Sequence, residues 1–581
     1  MENIQHKKEL IDCAMKRSAC DLVIQNARVF NVFTGALEDG EIAVKNGVIV
    51  GIGIGYRAER VCDGAGAIFL PGFLDAHIHV ESTMLTPEEF ARTVSPHGTV
   101  GIVADPHELV NVCGVEGAEY LKKAFDRIGI GGVKPVDVFM QLPSCVPATP
   151  FETSGASLDA RATWEELARD EFFGLGEMMN YPAVVAGEEE VLSKLAAAEE
   201  AGKIVDGHAP GLTGDALDAY LVAGIATDHE SLTLEEMREK IARGMYVQIR
   251  CGSSANNIDL CKDAITAENA RRFLLCTDDK HAHDLAERGH LDDALRRLVR
   301  SGVPALYAVN AATLNVAECY GLKGRGAIAP GYIADMVAVD SLENFRVQAV
   351  FKRGVLVAEK GKALFACTEK YLPDAVKDTV RVKDVSPESF LLSVRGGRAR
   401  AMTVMPYGLV TEETIVPVAC ERGDVRLSGT DLCKLAVVER HFASGNIGLG
   451  LVKGYGLSGG AIGISVAHDS HNLVVLGDDN AAMARVVALL KEMGGGMALV
   501  NAEGEQTFPL EVAGLMSVRP AEEVAAQTAR ISAAARAMGV KEEYDPFMTL
   551  AFLALPVIPH LKLTDKGLFD VDAFAFREIE P

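Results

Sequence analysis

Two histidines one residue apart, His77 and His79, close an apolar run, AIFLPGFLDAHIHV. In an extended strand, residues i and i+2 project from the same face, so both imidazoles can chelate one metal ion. An isolated pair of this kind is more often two satisfied polar side chains. Other apolar runs, however, end in the same kind of group: FFGLGEMMN carries Glu177, GKIVDGHAPG carries His208, AGIATDHES carries His229 and FLLCTDDKHAH carries Asp278. A carboxylate among apolar neighbours, as at Glu177, is costly to bury unless it is paired or metal-bound. Each group alone could be structural, but six at corresponding places predict a shared centre. Six nitrogen and oxygen ligands exceed what one Zn²⁺ ordinarily takes, so the pattern predicts two ions. His77, His79 and Asp278 would hold one, and His208 and His229 the other, with Glu177 and a hydroxide between them. Ligands without thiolate suit Zn²⁺, Mn²⁺ or Fe²⁺, and spacing does not choose among them. The chemistry is hydrolysis: the ions make water reactive, and Asp278 takes its proton and returns it to a leaving group.

Such convergence needs a scaffold that brings strand ends together. Between residues 66 and 322 there are eight apolar runs: the five above, with TVGIVADPH, VDVFMQLPS and MYVQIRCGS. Their lack of alternation fits parallel strands buried on both faces. Amphipathic stretches such as SLTLEEMREKIARG and GHLDDALRRLVRSG fill the intervals. Eight strand–helix units in roughly 250 residues is the arithmetic of a TIM-like barrel, whose sites lie at the C-terminal strand ends. An open doubly wound sheet would want a G-x-G-x-x-G after its first strand, and none is present. On that scaffold Asp105, His107, Glu81 and Ser82 fall at the same mouth and are predicted to contact substrate or shuttle protons. Capping of the following helix is an equal alternative for Asp105. The second H-x-H, His281 and His283, falls past its strand and reads as loop wall.

Residues 21–64 and 326–365 share a period-two texture with N-G and D-G turns, so the two ends are predicted to build one small β domain. From about 385 onward, strands such as NLVVLGDD mix with helices such as PAEEVAAQTARISAAARAMG. The fold class is therefore α/β: a (β/α)8 TIM-like barrel over 73–322, a composite β-sandwich domain from 1–72 and 323–375, and a C-terminal α+β domain over 385–581. In that last domain Glu439-Arg440-His441 and His468-Asp469-Ser470-His471 cluster polar groups. They either close over the barrel mouth or form a hydrogen-bonded corner or a subunit contact, and they are not counted as ligands.

Composition narrows the partners. The 581 residues carry 57 Lys and Arg against 81 Asp and Glu, a net charge of −24, which disfavours nucleic acid and acidic membrane surfaces. No apolar run approaches a membrane span, and the first twenty residues lack the apolar core of a secretory signal. The 12 cysteines are scattered without a C-x-x-C, which argues against a disulfide framework and for a reducing, cytoplasmic setting.

PGFLDAHIH at 71–79 and GAIAPGYIAD at 326–335 resemble the amidohydrolase superfamily. HVESTMLTPEEFA, HGTVGIVADPHELVNVCG, GEMMNYP, DGHAPGL, ATDHES, CTDDKHAHDL and VKGYGLSGGAIGISVAHDSHNLVVLG are similar to its adenine deaminase family. The resemblance spans nearly the whole chain from about residue 20. It implies hydrolytic deamination of a small-molecule purine base, adenine, to hypoxanthine and ammonia in purine salvage. It also implies a two-metal site, Mn²⁺ or Fe²⁺ before Zn²⁺, and a homo-oligomer. His77, His79, Glu177, His208, His229 and Asp278 fall on the family's metal positions. Relatives acting on cyclic amides place a carboxylated lysine where this chain has Glu177, which makes such a hydrolase the second reading. A catalytically inactive metal-binding barrel is the third, disfavoured by the presence of Asp278. The unrelated zinc-deaminase signature needs P-C-x-x-C, which the chain lacks.

Overall fold

The computed structural model describes residues 2–253, 255–367, 369–405 and 410–581. Eight short strands form the middle of the chain: β1 (Phe73–Ile78), β2 (Thr99–Ala104), β3 (Asp137–Leu142), β4 (Gly174–Met178), β5 (Ile204–Gly207), β6 (Thr227–Asp228), β7 (Tyr246–Arg250) and β8 (Phe273–Cys276). Strands β1 to β5 pair in parallel in sequence order, as do β6 to β8. Two seams close the ring. At one, Ala226 N donates to Val205 O at 3.0 Å; at the other, Asp278 N donates to His77 O at 2.9 Å. The result is the TIM-like barrel, with helices such as Leu234–Ala242 and Leu291–Arg300 in the intervals. β2 and β4 are buried at every residue, which is why these strands read as continuous aliphatic runs.

Both ends of the first half contribute to one nine-stranded sheet. Met336–Val339 lies antiparallel to Ile68–Pro71, which in turn runs parallel to Cys20–Phe30, so residues from both sides of the barrel segment share one sheet. A helix at Glu2–Ala14, not anticipated from the sequence, packs against this sheet and is tied to it by a Cys13–Cys20 disulfide. The other ten cysteines are free. One close-spaced pair is no framework, so composition gave no signal for it.

The C-terminal region is built on an eight-stranded sheet, antiparallel except where Arg398–Val404 meets Ile447–Lys453. Helix Asn480–Glu492 covers one face through Met483, Val486, Val487 and Leu490. Ile462, Ile464, Val474 and Leu476 belong instead to an apolar cluster continuous with barrel residues Phe90, Leu109 and Val110. This shared core seats the sheet region against the barrel. Among the described residues, no helix is long and apolar enough to cross a membrane.

Candidate metal centre and active site

The C-terminal ends of β1, β4, β5, β6 and β8 bring six side chains together. His77 Nε2 and His79 Nε2 lie 3.1 Å apart. Asp278 Oδ1 sits 3.3 Å from the first and 3.1 Å from the second. Glu177 Oε1 is 3.3 Å from His79 Nε2, while its Oε2 lies 2.8 Å from His208 Nδ1 and 3.1 Å from His229 Nε2. One carboxylate thus faces both imidazole pairs. Asp206 and Asp228, from the same runs, turn elsewhere. Asp206 accepts bonds from Gln141, Thr227 and Tyr320 inside the barrel, whereas Asp228 faces Lys240 on the opposite side of β6 from His229.

These atoms suit a cation. His79 Nδ1 donates to Asp105 O at 2.8 Å, which leaves the Nε2 lone pair aimed at the carboxylates. Lone pair facing lone pair at about 3 Å is repulsive unless positive charge lies between. The chain's own groups balance the cluster only with protons. Burial opposes charge on His79, yet hydrogen bonds to Asp278 and Glu177 lift it well above its usual range. Burial likewise opposes charge on His229, and Glu177 raises it to about 9. Each such proton stands where a divalent ion would serve the same electrostatic end, so the donor set fits the ions the sequence predicts.

Surrounding groups hold these side chains in place. Asp75 accepts from Thr277 N at 3.0 Å and Thr277 Oγ1 at 2.6 Å, fixing the residue before Asp278. Asp278 itself has a left-handed backbone, φ 56°, unusual for a residue with a side chain and held by the backbone bond to His77. Arg250, at the end of β7, pairs with Asp278 Oδ2 and with Glu230, and reaches Asp279 at 3.2 Å. Sequence reasoning missed Arg250 and Glu230. The signal was available, because MYVQIR is the seventh apolar run and its terminal arginine occupies the strand-end position that supplies the clustered side chains elsewhere.

Of the residues expected at the mouth, His107 lines the central cavity of about 430 Å³, with Nδ1 3.3 Å from Glu177 Oε1. Asp105, Glu81 and Ser82 are absent from its lining. Asp105 Oδ2 accepts Glu177 N at 2.9 Å, Glu81 accepts Leu109 N at 3.1 Å, and Ser82 donates to Asp279 at 2.6 Å. All three brace the wall from behind, and the helix after β2 has no side-chain cap from Asp105. His281 and His283 also lie away from this cavity; His283 is half exposed beside Glu287. To the same cavity the C-terminal region supplies Phe552, Leu555, Val557 and Ile558 as an apolar roof. His468 lines the cavity too, with Nδ1 2.7 Å from Glu108 Oε1. His441 instead bonds Ser470 O at 2.7 Å and supports that loop from outside.

A cavity with one imidazole–carboxylate wall and one apolar wall is equipped to hydrolyse a flat, polar-edged substrate. The chain matches the family model "Amidohydrolase family" over residues 68–357 and "Adenine deaminase C-terminal domain" over 408–575. It is 46% identical over 573 residues to an adenine deaminase of Nitratidesulfovibrio vulgaris (strain DP4), covering 98% of each chain. An "Adenine deaminase 2" of Desulfotalea psychrophila is 44% identical over 589 residues, covering all of both chains. An adenine deaminase of Clostridium acetobutylicum is 42% identical over 573 residues, covering 98% of this chain and 99% of the relative.

Proposed function

The chain belongs to the adenine deaminases of the amidohydrolase family, and from that premise we propose how its residues perform the reaction. It hydrolyses adenine to hypoxanthine and ammonia, and its family binds divalent metal. We assign His77, His79 and Asp278 to one ion and His208 and His229 to a second, with Glu177 between them. Mn²⁺ or Fe²⁺ is the expected metal, ahead of Zn²⁺. When bound, such ions lower the pKa of a water and polarise the electrophile.

The protein groups supply the rest. Asp278 takes a proton from the attacking water as its oxygen adds to C6, and passes it to the 6-amino nitrogen, because the amino group cannot leave as an amide anion and departs as neutral ammonia. Of the water's two protons, one departs as the third hydrogen of ammonia and the other ends on N1 of hypoxanthine. Burial raises the Asp278 carboxyl, but Arg250 outweighs it and holds the group well below its usual range. It therefore carries the proton only briefly. His107 is lifted to about 10 by Glu177, Asp469 and Asp105 against burial and His79, which equips it to donate to the base. The apolar roof keeps bulk water out and takes the ring face.

The observation that carries this reading is the convergence of six strand-end side chains in one cluster, five of them lining one cavity and His77 behind them, in a chain 46% identical to an adenine deaminase over its length. Division of the chain into 1–72 with 323–375, 73–322, and 385–581 belongs to the same reading, supported by the membership of the sheets. So do a cytoplasmic homo-oligomer, a role in purine salvage, and supporting roles behind the cavity wall for Asp105, Glu81 and Ser82. Incubation with adenine and with a panel of cyclic ureides, followed by mass spectrometry, tests the substrate. Hypoxanthine from adenine alone is expected; cleavage of a ureide with adenine untouched would contradict it.

A further inference from the structure

The mechanism leaves unused a group that the C-terminal region pushes into the cavity. Asp469 is only 3% exposed, its Oδ2 has no hydrogen-bond partner, and it lines the cavity wall. A buried carboxylate oxygen without a donor is costly, so a donor brought by the ligand would relieve it. The loop cannot easily swing to find another. His468 beside it is bonded to Glu108 at 2.7 Å and stacks on Phe552 with ring centroids 4.6 Å apart. Asn472 donates to Thr153 O at 2.8 Å from the same loop.

Its position relative to the reacting end is set by one ring. His107 Nδ1 lies 3.3 Å from Glu177 Oε1 and its Nε2 lies 3.8 Å from Asp469 Oδ1, so a single imidazole spans the two carboxylates. A purine whose C6 lay beside Glu177 could place its five-membered ring on the side of the same cavity that Asp469 lines. The ring N–H at N9 is the donor on that side, and it is the atom that a nucleoside replaces with sugar. We propose that Asp469 is a specificity-determining residue whose carboxylate accepts the N9–H of the free base, so that the site takes adenine and rejects bases substituted at N9. The proposal rests on the deaminase reading above and deepens it. An N9-substituted base removes the donor and leaves the carboxylate stranded, the kind of mismatch that discriminates strongly.

The test measures kcat/KM for adenine and 9-methyladenine with metal-loaded wild type, Asp469→Leu and Asp469→Asn. The wild type is expected to prefer adenine by at least ~100-fold. In Asp469→Leu, similar in size but without an acceptor, adenine should lose about 10- to 100-fold, mostly in KM, while 9-methyladenine stays within about 2-fold. Asp469→Asn keeps one acceptor oxygen and should recover part of the preference. A ratio taken within one preparation does not depend on the fraction folded. An unchanged ratio in Asp469→Leu, or proportional loss of both substrates in both variants, would overturn the proposal. A wild type that deaminates both bases equally would overturn it while leaving the deaminase reading intact. A wild type inert towards adenine would remove that reading, and this one with it.

Discussion

Asp278 answers to three constraints at once: it faces His77 and His79, it is pinned by Arg250, and its backbone is held left-handed. Asparagine keeps the shape and a ligand oxygen but cannot carry a proton. We expect Asp278→Asn to lower kcat by about 10²- to 10⁴-fold, with metal content measured on the same sample. Undiminished turnover with metal still bound would end its acid–base role. At this scale the convergence of the six groups was legible, because each alone has a bland explanation but their recurrence at the ends of several aliphatic runs does not. It was less so for Arg250, since an arginine after a strand is ordinarily a solvated end. Only burial beside three acids, Asp278, Glu230 and Asp279, distinguishes this one. Asp105, Glu81 and Ser82 show the converse difficulty: spacing places a residue near a mouth, but not which side of the wall its oxygen faces.

Strands and their neighbours hold these residues in register, and two contacts between elements make that measurable. Lys240, wholly buried on helix Leu234–Ala242, donates to Asp228 at 2.8 Å, Glu236 at 2.6 Å and Ala209 O at 2.8 Å. It joins the ends of β5 and β6 behind His208 and His229. Lys240→Met should destabilise by about 3–5 kcal/mol, because it strands buried acids; thermal unfolding reports it, and a Tm within 1 °C of wild type would contradict it. Glu152, in the loop after β3, is pushed up to about 8 by burial, against a hydrogen bond from Ser470 of the C-terminal region. A carboxyl raised in the folded state is neutral there and ionises on unfolding. Its stability is therefore present below pH 4.5 and lost as pH rises through 8. Glu152→Gln should gain about 2–4 °C in Tm over wild type at pH 8, and the gain should vanish near pH 4.5; a difference that does not vary with pH would contradict the burial argument. Eight aliphatic runs foretold the eight strands. The two-residue β6 was the faintest, because AGIATDHES offers few apolar residues before its polar end. Helix Glu2–Ala14 escaped notice because its charged sequence has only a weak apolar face, anchored through Leu10, Cys13 and Ala14.

Across the whole molecule, the site is a joint product of regions far apart in the chain. The barrel brings the polar wall; the C-terminal sheet region brings the roof through Phe552, Leu555 and Val557 and a contact through His468 to Glu108. Sequence order left that arrangement as one alternative among three for the 468–471 segment, because glycine-rich strands fix a sheet but not the surface it is laid upon. The composite β sheet was legible, since its two halves share one texture. We propose that all of this serves a pair of ions held by six side chains, and the direct test is metal titration of chelated protein with hypoxanthine release as the readout. Apo protein should be inactive, and turnover should rise with added Mn²⁺ or Fe²⁺ until two ions are bound per chain, then level off. Full activity in metal-free protein, or a plateau at one ion, would contradict the dinuclear account.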